Sequence, residues 1–174
     1  MNMKHYLLLS LFAASALTLQ AQITETATEA VKNMGVGWNL GNTLDANAAS
    51  GTNIDLASYW GQQDLNSEIC WSQHKTKPEL MTMMKNAGFG AIRVPVTWFN
   101  HMDKDGNVDK AWMKRVHEVV DYVIDNNMYC ILNVHHDTGA GSDSQKHWLQ
   151  ADEQVYEKVK DKYEKLWKQI AEEF

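Results

Sequence analysis

Tyr129-Cys130-Ile131-Leu132-Asn133-Val134 is a run of six residues, five of them apolar, that breaks off into His135-His136-Asp137. A short run rich in strand formers reads as a strand buried on both faces, the arrangement found in parallel α/β sheets. In such sheets ligands gather at the carboxyl ends of the strands. Three consecutive ionisable residues at that end therefore mark a candidate site as well as a fold.

The pattern recurs upstream. Met34 to Thr43 reads as a first strand running into a glycine-loosened loop, with Gly35, Gly37 and Asn39 on one parity and Val36, Trp38 and Leu40 on the other. Ala91 to Val96 reads as a second strand that stops near Pro95, since proline removes a ladder donor. Its parity sends Ile92, Val94 and Val96 toward helices and Arg93 toward the opposite face. In the third strand Cys130, Leu132 and Val134 take the helix side, and Ile131, Asn133 and His135 the interior.

Between and after these strands lie helical stripes. A short polar helix is expected over Thr24 to Lys32. The next opens at Thr76 as N-cap with Pro78 in its first turn, buries Leu80, Met81, Met84 and Ala87, and closes at Gly88. After a turn at Asp103 to Asn107, another carries Trp112, Val116, Val119, Val120, Val123 and Ile124 on one face and ends at Asn126-Asn127. The last presents Val155, Val159, Tyr163, Leu166, Trp167, Ile170 and Phe174. Asp45 to Lys77 reads as a long loop, a length that usually serves function. The order β-α-β-α-β-α predicts right-handed parallel crossovers in three βα units.

Composition narrows the partners. With 174 residues, 44% hydrophobic and 22% charged, the chain supports a globular core; a formal net charge of −6 with no Lys/Arg block argues against a nucleic-acid partner. Residues 1–21 have the layout of a secretory signal peptide: Lys4, an apolar run from Tyr6 to Leu19, then small residues, with cleavage after Ala21 or Ala16. The run is about 14 residues long where a membrane span needs about 20 apolar ones, so no stable membrane anchor is expected. The mature chain, 22–174, is then expected outside the cytoplasm, either secreted or in the periplasm or at the cell surface. Cys70 and Cys130 could pair in that setting, but Cys130 fits better as a small buried hydrophobe inside its strand.

Asn39, Arg93 and His135 share an inward parity and a shared strand end, which should bring an amide, a guanidinium and an imidazole together. Arg93 on a buried strand is expected to find a carboxylate. A metal is not expected at His135-His136-Asp137, because adjacent strand residues point to opposite faces. The glycines near Trp38 match neither a dinucleotide fingerprint nor a Walker A loop. Trp60, Trp71, Trp98 and Trp148 lie in loops or just past strand ends, where indoles suit the apolar faces of sugar rings.

Gly37-Trp38-Asn39-Leu40-Gly41-Asn42-Thr43-Leu44-Asp45, Gly88-Phe89 through Ile92-Arg93-Val94-Pro95-Val96-Thr97-Trp98, and Asn133-Val134-His135-His136-Asp137 together resemble the N-terminal motifs of glycoside hydrolase family five endoglucanases. The resemblance implies a (β/α)8 TIM barrel, here about its first three βα units, acting on β-glucan or related plant polysaccharide without cofactor or metal. It further implies that Arg93 braces the nucleophilic carboxylate and His135 hydrogen-bonds the sugar at the cleavage point. Asn39, His136 and Trp148 are then expected to touch sugar, with Trp98 beside them.

Retaining hydrolysis needs two carboxyl groups about 5–5.5 Å apart. In that family both are glutamates, the first in an Asn-Glu pair ending strand four. No Asn-Glu dipeptide occurs here, so the chain alone is expected to be inactive. Asp137 and Glu153 are poor substitutes, since Asp137 adjoins a sugar-contact position and Glu153 opens a helix. The rival expectation is a non-catalytic carbohydrate-binding barrel fragment.

Overall fold

The structure is a computed structural model that describes residues 25–47, 65–71, 73–138 and 148–174. The proposed leader, residues 1–21, and Trp60 lie outside the described residues. Helix α1 (Ala27–Met34) comes first, opened by a capping box in which Thr26 and Glu29 satisfy each other's backbone N–H. It is followed by β1 (Gly37–Asn39), a 3-10 turn at Leu65–Ile69, α2 (Pro78–Asn86), β2 (Ala91–Val96), a 3-10 turn at Phe99–His101, α3 (Lys110–Ile124), β3 (Tyr129–Val134) and α4 (Glu153–Glu173).

The three strands form one parallel sheet in the order β1-β2-β3, with Asn39 beside Arg93 and Arg93 beside Ile131. Three parallel strands joined through helices are what the alternation in the sequence predicts, and they fit the front of the (β/α)8 barrel that the resemblance implies. The core lies between sheet and helices, where Ile92, Val94 and Val96 of β2 meet Met81 of α2 and Trp112, Val116, Val119 and Val123 of α3. Leu166 and Ile170 bring α4 onto the same core. The opposite face of the sheet is open, and Ile131 is exposed there.

Three local expectations change. Strand β1 spans only three residues, because α1 runs to Met34, Gly35 takes φ +56° and Asn42 turns the chain with φ +62°. Strand β2 continues past Pro95 to Val96. The missing proline donor would face β1, which has already ended, while the other side of the ladder goes on with His135 N–H donating to Val96 O at 2.9 Å. Thr76 does not cap α2; Lys77 holds that position without a side-chain bond. The Thr76 backbone is engaged elsewhere, its N–H donating to Glu68 Oε1 and its O accepting from Arg115 Nη2. Among the described residues no helix is long and apolar enough to cross a membrane. Both cysteines are free thiols, Cys70 buried and Cys130 half-buried.

Candidate functional site at the carboxyl end of the sheet

Arg93 is the centre of the site. Its Nη1 donates to Asn39 Oδ1 at 2.6 Å, and its Nη2 lies 3.1 Å from His135 Nδ1. The amide, guanidinium and imidazole that shared a parity in the sequence therefore meet, each delivered by a different strand or its end. Gly41 makes room for this: a Cβ there would stand 2.7 Å from Asn39 Nδ2. The expected carboxylate partner for Arg93 is not found among the described residues, whose amide and imidazole share its donors instead. An arginine held in place yet lacking an anion is poised to receive one.

Burial, then the neighbouring Arg93 charge, holds the His135 pKa below its ordinary value, against a smaller pull from Asp45. The ring is therefore neutral at neutral pH. A guanidinium only donates, so Nδ1 accepts from Arg93 and Nε2 carries the proton.

His136 is close by because the strand has ended. Thr138 N–H and its hydroxyl both donate back to His135 O, which closes a turn and cancels the alternation expected to separate the two histidines. Their ring centroids are 4.4 Å apart. Asp45, buried at the start of the long loop, sends Oδ2 to 3.9 Å from Nε2 of both. It is itself held by Thr43 N–H on Oδ1 and by the Thr97 hydroxyl on its backbone O.

These three side chains place ligand-type atoms within 4.8 Å of one another. Zinc bonds of about 2.0–2.2 Å would ask for tighter spacing. Arg93 also leaves the wrong nitrogen of His135 protonated and sets a positive charge against any cation. The donor set does not fit a resident metal.

Trp98 and Trp148 correct the expectation of exposed indoles. Trp98 is fully buried, because it shares the parity of Ile92, Val94 and Val96 and so turns into the helix layer. Trp148 is also buried; its Nε1 donates to Asp137 Oδ1 at 2.7 Å, and Lys162 Nζ sits 4.7 Å over its ring. Neither offers a face to sugar in this arrangement. Asp137 ties them together, since its Oδ2 accepts from Trp98 N–H at 2.8 Å. Burial raises its carboxyl pKa to about 6. Fully enclosed, it is an anchor for two loops and has no access to a glycosidic bond. Glu153 lies in the first turn of α4, where Asp152 caps the helix.

Two further residues stand near the mouth, of which the sequence singled out only Trp71, as a loop indole. Asp45 was visible as the end of the Gly37 to Asp45 motif, and Trp71 as one loop tryptophan among several. Trp71 is partly exposed, and its ring stands 5.3 Å from that of His136 at 63°. A cavity of about 700 Å³ lined by His101, Met102 and Asp109 includes none of these groups. The site is instead the open face of the sheet at its carboxyl end.

Parallel βα units carrying polar side chains at the carboxyl mouth define a barrel enzyme's architecture. The chain belongs to the cellulase family, glycosyl hydrolase family 5, whose model matches residues 48–174. Endoglucanase B of Neocallimastix patriciarum is 37% identical over 167 residues, covering 95% of this chain and 32% of that protein. Endoglucanase A of Clostridium longisporum is 39% identical over 158 residues, covering 91% and 28%. A broad-specificity endoglucanase from an uncultured bacterium superposes with a TM-score of 0.74 at 62% identity, over 86% of this chain and 38% of that one. A family 5 enzyme from Prevotella bryantii, solved with a xyloglucan tetradecasaccharide, gives 0.73 at 46% identity over 86% and 40%. The chain thus spans about a third of the curated relatives it matches.

Proposed function

We propose that the protein to which this chain contributes hydrolyses β-1,4-linked glucans, including branched ones of the xyloglucan type, with retention and through two glutamates. This chain supplies the sugar-holding part of the cleft. In that reading Arg93 pairs with the nucleophilic carboxylate and keeps it ionised. His135 offers its Nε2–H to the sugar at the cleavage point, and Asn39 and His136 contact sugar hydroxyls. The reading extends to an exported protein, directed by residues 1–21 and acting outside the cytoplasm on plant polysaccharide.

The observation that carries it is Arg93, fixed by an amide and an imidazole at the carboxyl mouth while no described carboxylate answers its charge. A buried or half-buried guanidinium in that condition favours an incoming anion. The test pairs two assays. Purified 174-residue chain is expected to leave carboxymethylcellulose uncleaved and to be retarded in a β-glucan affinity gel. Cleavage by this chain alone would overturn the two-glutamate assignment. Retardation by a longer chain carrying both glutamates, without hydrolysis, would favour a binding protein instead.

A further inference from the structure

Glu68 and Arg115 form an ion pair with almost no exposure, at 0% and 3% of side-chain surface. Arg115 Nε donates to Glu68 Oε2 and its Nη2 to Glu68 Oε1, both at 2.9 Å, while Nη2 also reaches Thr76 O at 2.7 Å. Glu68 Oε1 accepts Thr76 N–H at 2.7 Å. The fork thus fastens two points of the segment before α2, Glu68 and Thr76, onto α3. Burying two charges is costly, and replacing such a pair with apolar groups of similar size is often neutral or stabilising. Stability alone therefore gives a weak reason for this pair.

What lies between the two fastened points gives a stronger one. Trp71 leaves the clamped stretch, donates Nε1–H to Asn47 O at 3.1 Å, and stands as one side of a corner whose other side is His136. Asn47 is two residues from Asp45, so the indole also rests on the segment that carries this carboxylate. The two rings meet edge to face at 63°, and the indole keeps part of its surface exposed beside that contact.

We propose that the Glu68–Arg115 pair is a positioning clamp that holds Trp71 as an indole wall against His136, and that this corner seats the C–H face of a pyranose. The seating half rests on the sugar-cleft reading above; the clamp half does not. Trp71 would contact sugar directly, whereas Glu68 and Arg115 act only through it.

The test uses the chain labelled with 5-fluorotryptophan, the Trp71 resonance being assigned by its loss in W71F. In E68M/R115M the chain is expected to stay folded with a modestly lower Tm, because no charge is stranded although Thr76 N–H and O lose their partners, while the Trp71 resonance moves or broadens. Affinity for cellotetraose, followed by retardation in a competing β-glucan gel, is expected to fall roughly three- to tenfold there and in W71A. R115K keeps the charge but loses the fork; it is expected to displace the same resonance and serves if the double variant does not fold. An unmoved Trp71 resonance in the variants overturns the clamp. A displaced Trp71 with unchanged affinity overturns the indole wall. If the unaltered chain shows no affinity, the sugar-cleft reading and the seating half fail together, while the resonance still decides the clamp.

Discussion

Nη2 of Arg93 lies 3.1 Å from Nδ1 of His135, and because arginine has no acceptor this contact fixes the tautomer of the imidazole. Nitrogen-15 chemical shifts are expected to show Nδ1 unprotonated and Nε2 protonated at neutral pH. His135 is also expected to titrate below its ordinary 6.5, since burial and then the Arg93 charge oppose protonation. The sign follows from linkage: stability from the neutral ring is present above 6.5 and is lost as pH falls through the lower folded value. R93M removes the charge but leaves the burial, so the His135 pKa should rise. A protonated Nδ1, or an unchanged titration in R93M, would contradict the arrangement.

Asp137 titrates in the opposite sense. Burial raises its pKa from an ordinary 3.8 to about 6, although the Trp148 and Trp98 N–H groups pull it down. The folded chain therefore binds an extra proton between those values. Stability from this residue is full below 3.8 and declines until the carboxyl is ionised above about 6, by on the order of 2–3 kcal/mol. D137N should flatten that part of a urea-denaturation pH profile. D137A should cost about 2–4 kcal/mol, because it orphans the Trp148 indole N–H and the Trp98 backbone N–H. A profile with the same slope in D137N would assign the titration elsewhere.

The order of elements and the meeting of Asn39, Arg93 and His135 were legible because a period of two is rigid: knowing one inward residue gives the rest of its strand. The same rule, carried one step past Val96, would have placed Trp98 in the core, where it is found. The rule failed at His136 for the converse reason, since the chain turns at His135 and alternation no longer applies. Trp148, Asp137 and the Glu68–Arg115 pair were not legible as partners. Their contacts span 11 and 47 residues and join loops to each other or to a helix, where no periodicity relates one side chain to another.

Arg115 separates net worth from dependence. Removing Arg115 strands the buried Glu68 charge, so R115M is expected to lose roughly 3–5 kcal/mol, whereas E68Q leaves Arg115 with Glu118 at 3.0 Å and should lose less. The double replacement E68M/R115M should recover most of that loss, because it leaves no charge behind. A double-mutant cycle by denaturant unfolding measures the coupling. Additive losses would mean that the two groups do not depend on each other despite their 2.9 Å contacts.

Gly90 tests how the amino-terminal end of the sheet is closed. Its N–H donates to Val36 O and its O accepts from Tyr129 N–H, each at 2.9 Å, so its backbone links the segments before β1 and β3. A Cβ at this position would stand 2.3 Å from Met34 O and 3.0 Å from Met34 C, against backbone that cannot swing aside as a flexible side chain would. G90A should therefore push the end of α1 off the sheet and cost about 1–3 kcal/mol, the usual scale of overpacking. Amide hydrogen exchange should quicken over residues 30–36 while the amides of α3 keep their protection. Unchanged exchange in α1, with unchanged stability, would show that α1 does not pack as closely on Gly90 as these distances require.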